Sequence, residues 1–223
     1  MDWFRQVNSY CERLDGAYWA EPANALTNLA FLLAAWLCWR RPDVRADRAA
    51  RLLVAILALI GIGSWLFHTH AQLWSLFADV IPIQAFILIY VFFATTRFFA
   101  LPWWAGAGAV AVFLVLAPLA ASGIEAAFGR LNGSVDYLPV PILIAAYGLA
   151  LSRRAPGTAR GLGIGAGLLA LSLVFRTIDQ AVCPGFPLGT HFLWHLLNAV
   201  MLGWMILVLA DAKAPLEPDP RSS

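Results

Sequence analysis

Seven apolar runs, each long enough to cross a lipid bilayer as a helix, constrain the fold of this chain more than any other feature. They cover residues 23–40, 50–68, 76–98, 102–122, 137–152, 161–177 and 190–211. A hydrocarbon core about 30 Å thick requires about 20 apolar residues per helix, and a helix satisfies its backbone groups internally. The sequence therefore predicts an all-α, polytopic membrane protein that folds as a seven-transmembrane helix bundle.

Composition supports this fold class and divides the chain. Hydrophobic residues make up 61% of the sequence and charged residues 13%, and the mean hydropathy of +0.73 exceeds that of soluble domains. The opening segment, residues 1–22, is polar and lacks the apolar region of a cleavable signal peptide. We assign residues 1–22 as an outer N-terminal segment, 23–211 as a seven-helix transmembrane domain and 212–223 as a disordered cytoplasmic tail.

Positive charge predicts the orientation of the bundle. Of the 15 Lys and Arg residues, eleven fall in the first, third and fifth loops and the tail, and four fall on the other side. Because basic residues concentrate in cytoplasmic loops, we expect the N-terminus outside and the C-terminus in the cytoplasm. This distribution accounts for the net charge of +2 and gives no reason to expect nucleic-acid binding. A ratio of 14 Arg to one Lys is typical of a GC-rich bacterial gene, so we expect a bacterial inner membrane. The outer side would then be the periplasm; in a eukaryote it would be the lumen of an organelle.

All four histidines fall at helix ends that this topology places at the outer boundary. His191 and His195 are four residues apart, so they share one helix face and can bind one metal ion together. His68 would arrive from another helix as a third ligand. His68 taken alone is better explained as a satisfied interfacial residue, but the three together favour a metal site. His70 faces away from His68 and is assigned a structural role.

Two further polar residues lie close to these histidines in the predicted spans. Ser64 precedes His68 by one helical turn, and Asp79 begins the next span. A zinc ion lowers the pKa of its bound water to about 7. A carboxylate can accept a proton during attack and later pass it to a leaving amine, and a hydroxyl can donate to a developing oxyanion. The pattern therefore predicts an amide hydrolase with Asp79 and Ser64 as catalytic residues.

The cysteines follow the same topology. Cys11 and Cys183 both lie in outer segments, where an oxidising compartment permits a disulfide. Cys38 lies within the first span and is explained as a packing residue.

Residues at two other outer span ends admit two explanations each. Asp136 and Tyr137 open the fifth span and fit a helix cap or an interfacial aromatic better than a pocket wall. Arg176 and Asp179 end the sixth span, and an ion pair between them explains their presence as well as substrate contact does.

Four separated segments carry a resemblance to a known family. Residues 11–28, 63–79, 176–184 and 191–199, which include CER, GSWLFHTHAQLWSLFAD, RTIDQAVCP and HFLWHLLNA, resemble the alkaline ceramidases. These are seven-helix hydrolases in a superfamily shared with the adiponectin receptors. The resemblance implies a zinc ion bound by three histidines, with a hydroxyl and a carboxylate beside it. It also implies a disulfide between the N-terminal segment and the last outer loop. The matching residues are His68, His191, His195, Ser64, Asp79, Cys11 and Cys183.

The resemblance also implies a calcium site in the N-terminal segment. Glu12 and Glu21 match the family's acidic ligands, and Asp15 matches loosely because this chain is shorter ahead of Glu21. Asn8 or Ser9 stands where the family has a further acidic residue. Because fewer charges weaken calcium binding, we expect a weaker site. A solvated helix entrance explains the same acids equally well.

Three classes of function are consistent with these features. The leading hypothesis is an intramembrane zinc-dependent amidase that hydrolyses the N-acyl bond of ceramide or a ceramide-like membrane lipid to a fatty acid and a free amine. Its cofactors are Zn2+ and, by resemblance, Ca2+. The second is a non-catalytic, metal-stabilised seven-helix receptor or transporter. The third is a haem-binding electron-transfer protein, which leaves Ser64 and Asp79 without a role.

Overall fold

The computed structural model describes residues 2–212, and within them the chain is helical with no strand. The helices are α1 (Pro22–Thr27), α2 (Leu29–Arg40), α3 (Pro42–Ala46), α4 (Arg48–His70), α5 (Leu73–Phe98), α6 (Trp103–Phe128), α7 (Pro139–Leu151), α8 (Pro156–Val182) and α9 (His191–Asp211), with a 3-10 helix (Leu131–Asp136) before α7. Seven spans of these helices are long and apolar enough to cross a membrane. The predicted fold class is confirmed. The predicted disordered tail lies, from residue 213 onward, outside the described residues.

Several helices extend beyond the predicted spans. The sixth span was expected at 161–177, whereas α8 runs from Pro156 to Val182, and α6 continues to Phe128 rather than ending at 122. An apolar run marks only the part of a helix that lies in hydrocarbon. Polar residues in the flanking turns keep the same backbone hydrogen bonds, so the helix continues beyond the apolar run.

The candidate site residues lie on the most enclosed helices of the bundle. In the most apolar stretches of α9 and α4, 61% and 56% of the residues are buried. In α6 only 6% are buried, so α6 lies at the periphery. The core is built mainly from the apolar faces of α4 and α9, with Leu53, Leu57, Ile206 and Leu209 fully enclosed. His68 therefore ends one central helix, and His191 and His195 begin the other.

An ion pair joins α4 to α5 at the end of the bundle opposite the histidines. Asp47 accepts hydrogen bonds from the backbone N–H groups of Ala49 and Ala50, which caps α4. The same carboxylate pairs with the guanidinium of Arg97. Burial raises the pKa of Asp47, but the hydrogen bonds and charge of Arg97 outweigh it, and the net pKa is lowered.

The N-terminal segment covers the histidine end. Its backbone pairs with the turn between α4 and α5, where Val7 N donates to Ala71 O at 2.7 Å and Leu73 N donates to Arg5 O at 3.1 Å. A disulfide joins Cys11 to Cys183, with a Cα–Cα distance of 5.6 Å, which confirms the predicted pairing. The segment is thus tied down at two points over the ends of the central helices.

Candidate metal centre

Three histidine side chains meet at one end of the bundle. His68, His191 and His195 each offer a ring nitrogen, and these atoms lie within 4.8 Å of one another. The three residues are at most 1% exposed. Within the described part of the chain, His68 Nε2, His195 Nε2 and His191 Nδ1 are buried and have no hydrogen-bond partner. Buried polar atoms nearly always have a partner, so three imidazoles this close together, each with an unpartnered nitrogen, form a group that could hold a metal ion.

Asp179 sets the start of the helix that carries two of these histidines. Its Oδ1 accepts from the backbone N–H groups of Thr190 at 2.7 Å and His191 at 2.9 Å, and its Oδ2 accepts from Cys11 N at 2.9 Å. The carboxylate is fully buried and satisfies the first N–H groups of α9. The ion pair with Arg176 considered from the sequence is not formed, because these three N–H groups occupy Asp179.

Gly189 makes this close approach feasible. Its φ is +66°, a left-handed conformation that glycine adopts without strain. A Cβ there would overlap the Asp179 carboxylate and would lie 2.6 Å from Cys11 Cβ. Glycine is therefore required where the loop between α8 and α9 turns into α9.

The opposite ring nitrogens of two histidines are held by neighbouring side chains. His68 Nδ1 lies 2.6 Å from Glu21 Oε2, and His195 Nδ1 lies 3.0 Å from Thr27 Oγ1. The Thr27 hydroxyl donates to Ala23 O at 2.8 Å, so its oxygen is free to accept from His195 Nδ1–H. These contacts favour the tautomers in which Nε2 carries the free lone pair, as is usual for metal-binding histidines.

The third histidine is held by an aromatic stack. The rings of Tyr10 and His191 are stacked, with centroids 3.5 Å apart. Arg176 Nη1 donates to the Tyr10 hydroxyl at 2.8 Å, and its guanidinium lies 5.2 Å from the Trp194 ring centroid and 5.3 Å from that of Tyr137. Burial raises the pKa of Tyr10, so Tyr10 is a neutral phenol at physiological pH. Arg176 thus fixes Tyr10 against His191.

Asp79 and Ser64 face the same cavity as His195. Ser64 is 3% exposed on α4, and Asp79 comes from the facing turn of α5. Gly63 allows these helices to cross closely: a Cβ there would overlap the carbonyl oxygen of Ala78 and lie 3.2 Å from the Cα of Asp79. The structure therefore brings both predicted catalytic residues to the histidine group, and the missing side chain of Gly63 is the reason.

The cavity beside the histidines is long and almost wholly apolar. It contains about 770 Å³ of empty space and runs from His195 and Asp79 between the central helices to Tyr90 and Met205. Two polar lining atoms, Asn198 Nδ2 and the Tyr90 hydroxyl, are buried without a partner among the described residues. The sequence reasoning missed both residues, although Asn198 follows His195 by three residues and so shares its helix face.

Glu12 and Asp15, two of the three acids assigned to calcium, have partners within the chain. The Glu12 carboxylate accepts from Ala23 N at 2.7 Å and Asn24 N at 2.8 Å, and so caps α1. Burial raises the pKa of Glu12 in spite of these hydrogen bonds. Asp15 is exposed and accepts from Ala17 N at 2.8 Å in its own loop.

Glu21, the third acid, is buried between the Arg13 guanidinium and the His68 ring. It binds Arg13 Nε at 2.5 Å and His68 Nδ1 at 2.6 Å. Burial raises the pKa of Glu21, but the hydrogen bonds and charges of His68 and Arg13 outweigh it and lower the net pKa. Within residues 2–212, the histidine trio is the only group of three or more metal-ligating side chains that could hold an ion. A calcium site at Glu12, Asp15 and Glu21 therefore stays a prediction.

The remaining residues singled out from the sequence lie outside the histidine group. His70 is half-buried, and its ring makes edge contacts with Tyr18 and Trp74. Asp136 is exposed at the end of the 3-10 helix, whereas Tyr137 is buried and lines the cavity. Tyr137 is therefore a wall residue, which the sequence reasoning had ranked below a cap or an interfacial aromatic.

Comparison with known proteins places the chain in a family. No curated protein sequence matches it. A family model described as Ceramidase matches residues 9–220, nearly the whole chain, including most of the N-terminal segment and both helices that carry the histidine group. Membership implies a hydrolase that acts on an amide bond in a lipid such as ceramide. The chain belongs to the ceramidase family.

Proposed function

We propose that the protein is an intramembrane zinc-dependent amidase that hydrolyses the N-acyl bond of ceramide or a ceramide-like lipid to a fatty acid and a free amine. The observation that carries the proposal is the group of three buried histidines with unpartnered nitrogens, one of which, His195, lines the same apolar cavity as Asp79 and Ser64. Family membership supplies the reaction class.

The donor set supports zinc as the metal. Three imidazole nitrogens suit Zn2+, whereas Ca2+ and Mg2+ prefer oxygen ligands. Three protein ligands also leave one coordination position for water or substrate, as in catalytic zinc sites. A bound zinc ion would polarise the amide carbonyl and lower the pKa of a water molecule to about 7. His68, His191 and His195 would hold it, with Glu21, Tyr10 and Thr27 fixing their rings.

Asp79 and Ser64 would carry the proton transfer and the charge stabilisation. Asp79 accepts a proton from the attacking water molecule as the water oxygen bonds to the carbonyl carbon. Ser64 donates a hydrogen bond to the carbonyl oxygen as negative charge develops there. Asp79 then passes the proton to the amine nitrogen as the C–N bond breaks, which leaves a fatty acid and an amine.

The cavity would bind the hydrocarbon part of the substrate. The side chains that line it are almost all apolar, as in pockets that bind hydrocarbon chains. Its apolar wall excludes water from the length of an acyl chain, while the amide remains at the end where His195 and Asp79 lie. Burial of the chain would therefore place the scissile bond at the metal.

We also propose that the histidine group faces the outer side of the membrane. The distribution of Lys and Arg supports this orientation, and so does a disulfide at the histidine end, because disulfides persist in oxidising compartments. In this arrangement residues 1–22 form an outer segment of a hydrolase domain at 23–211. The orientation is tested by attaching a periplasm-active or cytoplasm-active reporter to the C-terminus, and activity of the periplasmic reporter would contradict it.

The experiment that tests the function is product analysis of the purified, zinc-loaded protein. The protein is incubated with mixed bacterial and eukaryotic lipids, and mass spectrometry follows the paired release of fatty acid and free amine. Asp79→Asn serves as the zinc-binding control. Retained zinc without hydrolysis across a broad N-acyl lipid panel would instead support a receptor or transporter, and a Soret band would support haem binding.

A further inference from the structure

Arg13 is buried beside the metal centre and is surrounded by acceptors. It is 5% exposed. Its Nε donates to Glu21 Oε1 at 2.5 Å, and its Nη2 donates to the backbone carbonyl of His68 at 2.9 Å. Its Nη1 donates to the carbonyls of Asp15 at 3.1 Å and Ala17 at 3.4 Å. One guanidinium therefore gathers a carboxylate and three backbone carbonyls from the N-terminal segment and from α4.

This set of acceptors is the kind that a hard divalent cation takes. Calcium is bound by carboxylate and carbonyl oxygens, and here both kinds point at a side chain that is charged at any physiological pH. A guanidinium has five donors in a planar fork, which suits several acceptors spread around one positive charge. The cation that neutralises Glu21 is thus covalently part of the chain.

The position of Arg13 is unusual for a basic residue in this topology. It is one of only four basic residues on the side that the charge distribution assigns to the outside. Arg5, another of the four, is exposed and has no side-chain hydrogen bond or ion pair with the described residues. Arg13 is enclosed instead, and a buried charge is costly unless it is paired and hydrogen-bonded. Its placement is therefore explained by its partners.

The contacts of Arg13 reach a metal-binding histidine by two routes. Glu21 receives Arg13 on Oε1 and His68 Nδ1 on Oε2, the latter at 2.6 Å. Arg13 also binds the backbone carbonyl of His68 directly. Asn24 Nδ2 donates a further hydrogen bond to Glu21 Oε2 at 3.1 Å, which also holds the carboxylate in place.

We infer that Arg13 is a built-in cation that takes the place of the calcium ion implied by the resemblance to alkaline ceramidases, and that it is a positioning residue for His68. The inference rests on the metal centre of the proposed function but not on turnover. It makes the outer segment part of the zinc site: Arg13 holds Glu21, and Glu21 orients the His68 ring. A protein with this arrangement needs no calcium to assemble its metal centre.

The test compares Arg13→Met with Arg5→Met in the full-length, zinc-loaded protein. Methionine keeps much of the length of the side chain and removes its charge, and Arg5 is the exposed arginine of the same segment. The readouts are calcium binding by calorimetry, Tm, and the rate of zinc release to a chromogenic chelator. The wild type is expected to bind no calcium saturably up to millimolar concentration, and its Tm is expected to be the same in calcium as in resin-treated, calcium-free buffer.

Loss of the guanidinium should loosen the zinc site in a way that a replacement cation repairs. Arg13→Met is expected to release zinc faster than Arg5→Met because Glu21 is no longer held in place, and the upper limit is the about 10- to 100-fold effect of losing the partner of a metal-binding histidine. Millimolar calcium or guanidinium ion should slow this release, because Glu21 and the three carbonyls remain as acceptors. The wild-type rate should not respond to either ion.

Four outcomes would overturn the inference. They are saturable calcium binding that raises the wild-type Tm, equal zinc release from Arg13→Met and Arg5→Met, failure of both ions to slow release from Arg13→Met, and wild-type behaviour of Arg13→Lys. The lysine variant covers the case in which Arg13→Met does not fold: its single ammonium keeps the charge but cannot span all four acceptors, so faster zinc release than in the wild type is expected. A protein that retains zinc and hydrolyses no lipid would refute the proposed function and leave these readouts intact.

Discussion

The close crossing of α4 and α5 at Gly63 gives the sharpest test of how the proposed catalytic pair is placed. A Cβ at Gly63 would overlap the backbone carbonyl of Ala78 and lie 3.2 Å from Asp79 Cα. The obstructing atoms belong to the backbone of a rigid helix, so the added methyl group cannot be accommodated by a side-chain rotation. Gly63→Ala must therefore push the two helices apart at the turn that carries Asp79.

The size of the effect follows from that geometry. Restoring ordinary van der Waals contact requires the distance from the new Cβ to Ala78 O to rise to 3.4 Å or more, and a misplacement of about 1 Å can already cost about 10²-fold in rate. The histidines do not lie at the crossing: His68 is five residues further along α4, and the other two are on α9. We therefore expect Gly63→Ala to keep its zinc, to lose some thermal stability through overpacking, and to lose about 10²-fold in turnover.

The assay measures kcat by release of fatty acid, together with zinc content and Tm, for Gly63→Ala and for Gly108→Ala. Gly108 lies on α6, and a Cβ there would meet nothing within 4 Å. The control adds the same methyl group without a crossing helix, so it should match the wild type in kcat and zinc content, and its Tm should rise slightly because alanine favours the helix. Turnover of Gly63→Ala within a few-fold of Gly108→Ala would refute the placement of Asp79 as a group that acts at the reaction centre.

Four further variants test three separate parts of the reasoning. Asp79→Asn should fold, keep its zinc and lose about 10²- to 10⁴-fold in turnover because the base is removed. Ser64→Ala should lose less, since one oxyanion hydrogen bond contributes a few kcal/mol at most. Near-normal turnover by zinc-loaded Asp79→Asn would refute the mechanism. Tyr90→Phe removes a buried hydroxyl without a partner among the described residues, so its Tm should rise, by an amount equivalent to about 1 to 3 kcal/mol, and a fall in Tm would reveal a partner for the hydroxyl. Cys11→Ser should lower Tm, with an upper limit of about 5 kcal/mol for the loop closed by a disulfide across 172 residues, and a Tm that reductant leaves unchanged in the wild type would contradict this.

Sequence patterns that depend on one helix at a time predicted the structure well. The apolar runs indicated seven spans, and the spacing of His191 and His195 placed them on one face of α9. Charge counting placed Cys11 and Cys183 on the same side, and the structure joins them. Each of these inferences uses a periodicity or a side of the membrane, both of which can be derived from residue order alone.

Features that depend on how two segments meet were not predictable in the same way. Arg13 was counted as one outer charge, because nothing in its position in the sequence shows that four acceptors from two segments surround it. Asp179 was considered as a partner of Arg176, but it is occupied by N–H groups that the loop folds over it. Gly63 carried no signal, because its role is the distance between two helices.

The Asp47–Arg97 pair lets stability be separated from the metal centre, because it lies at the other end of α4 from His68. Asp47→Asn keeps an acceptor for the N–H groups at the start of the helix, since Asn caps about as well as Asp, but it loses the ion pair with Arg97. We expect Tm to fall by an amount equivalent to about 1.5 to 3 kcal/mol, with zinc content and turnover unchanged. Asp43→Asn is the control, because the Asp43–Arg41 pair is exposed to solvent and such pairs contribute about 0 to 1 kcal/mol.

The pH dependence gives this prediction its sign. The pKa of Asp47 is lower in the folded protein than its ordinary value, so the contribution of the pair is present above the unfolded pKa of about 3.9 and is lost as pH falls through the folded value. The Tm difference between the wild type and Asp47→Asn should therefore be constant from neutral pH to about pH 5 and shrink below about pH 4. A difference that stays constant into acid, or a loss of zinc in Asp47→Asn, would show that the two ends of α4 are not independent and that the stability of the bundle and the geometry of the centre are coupled through that helix.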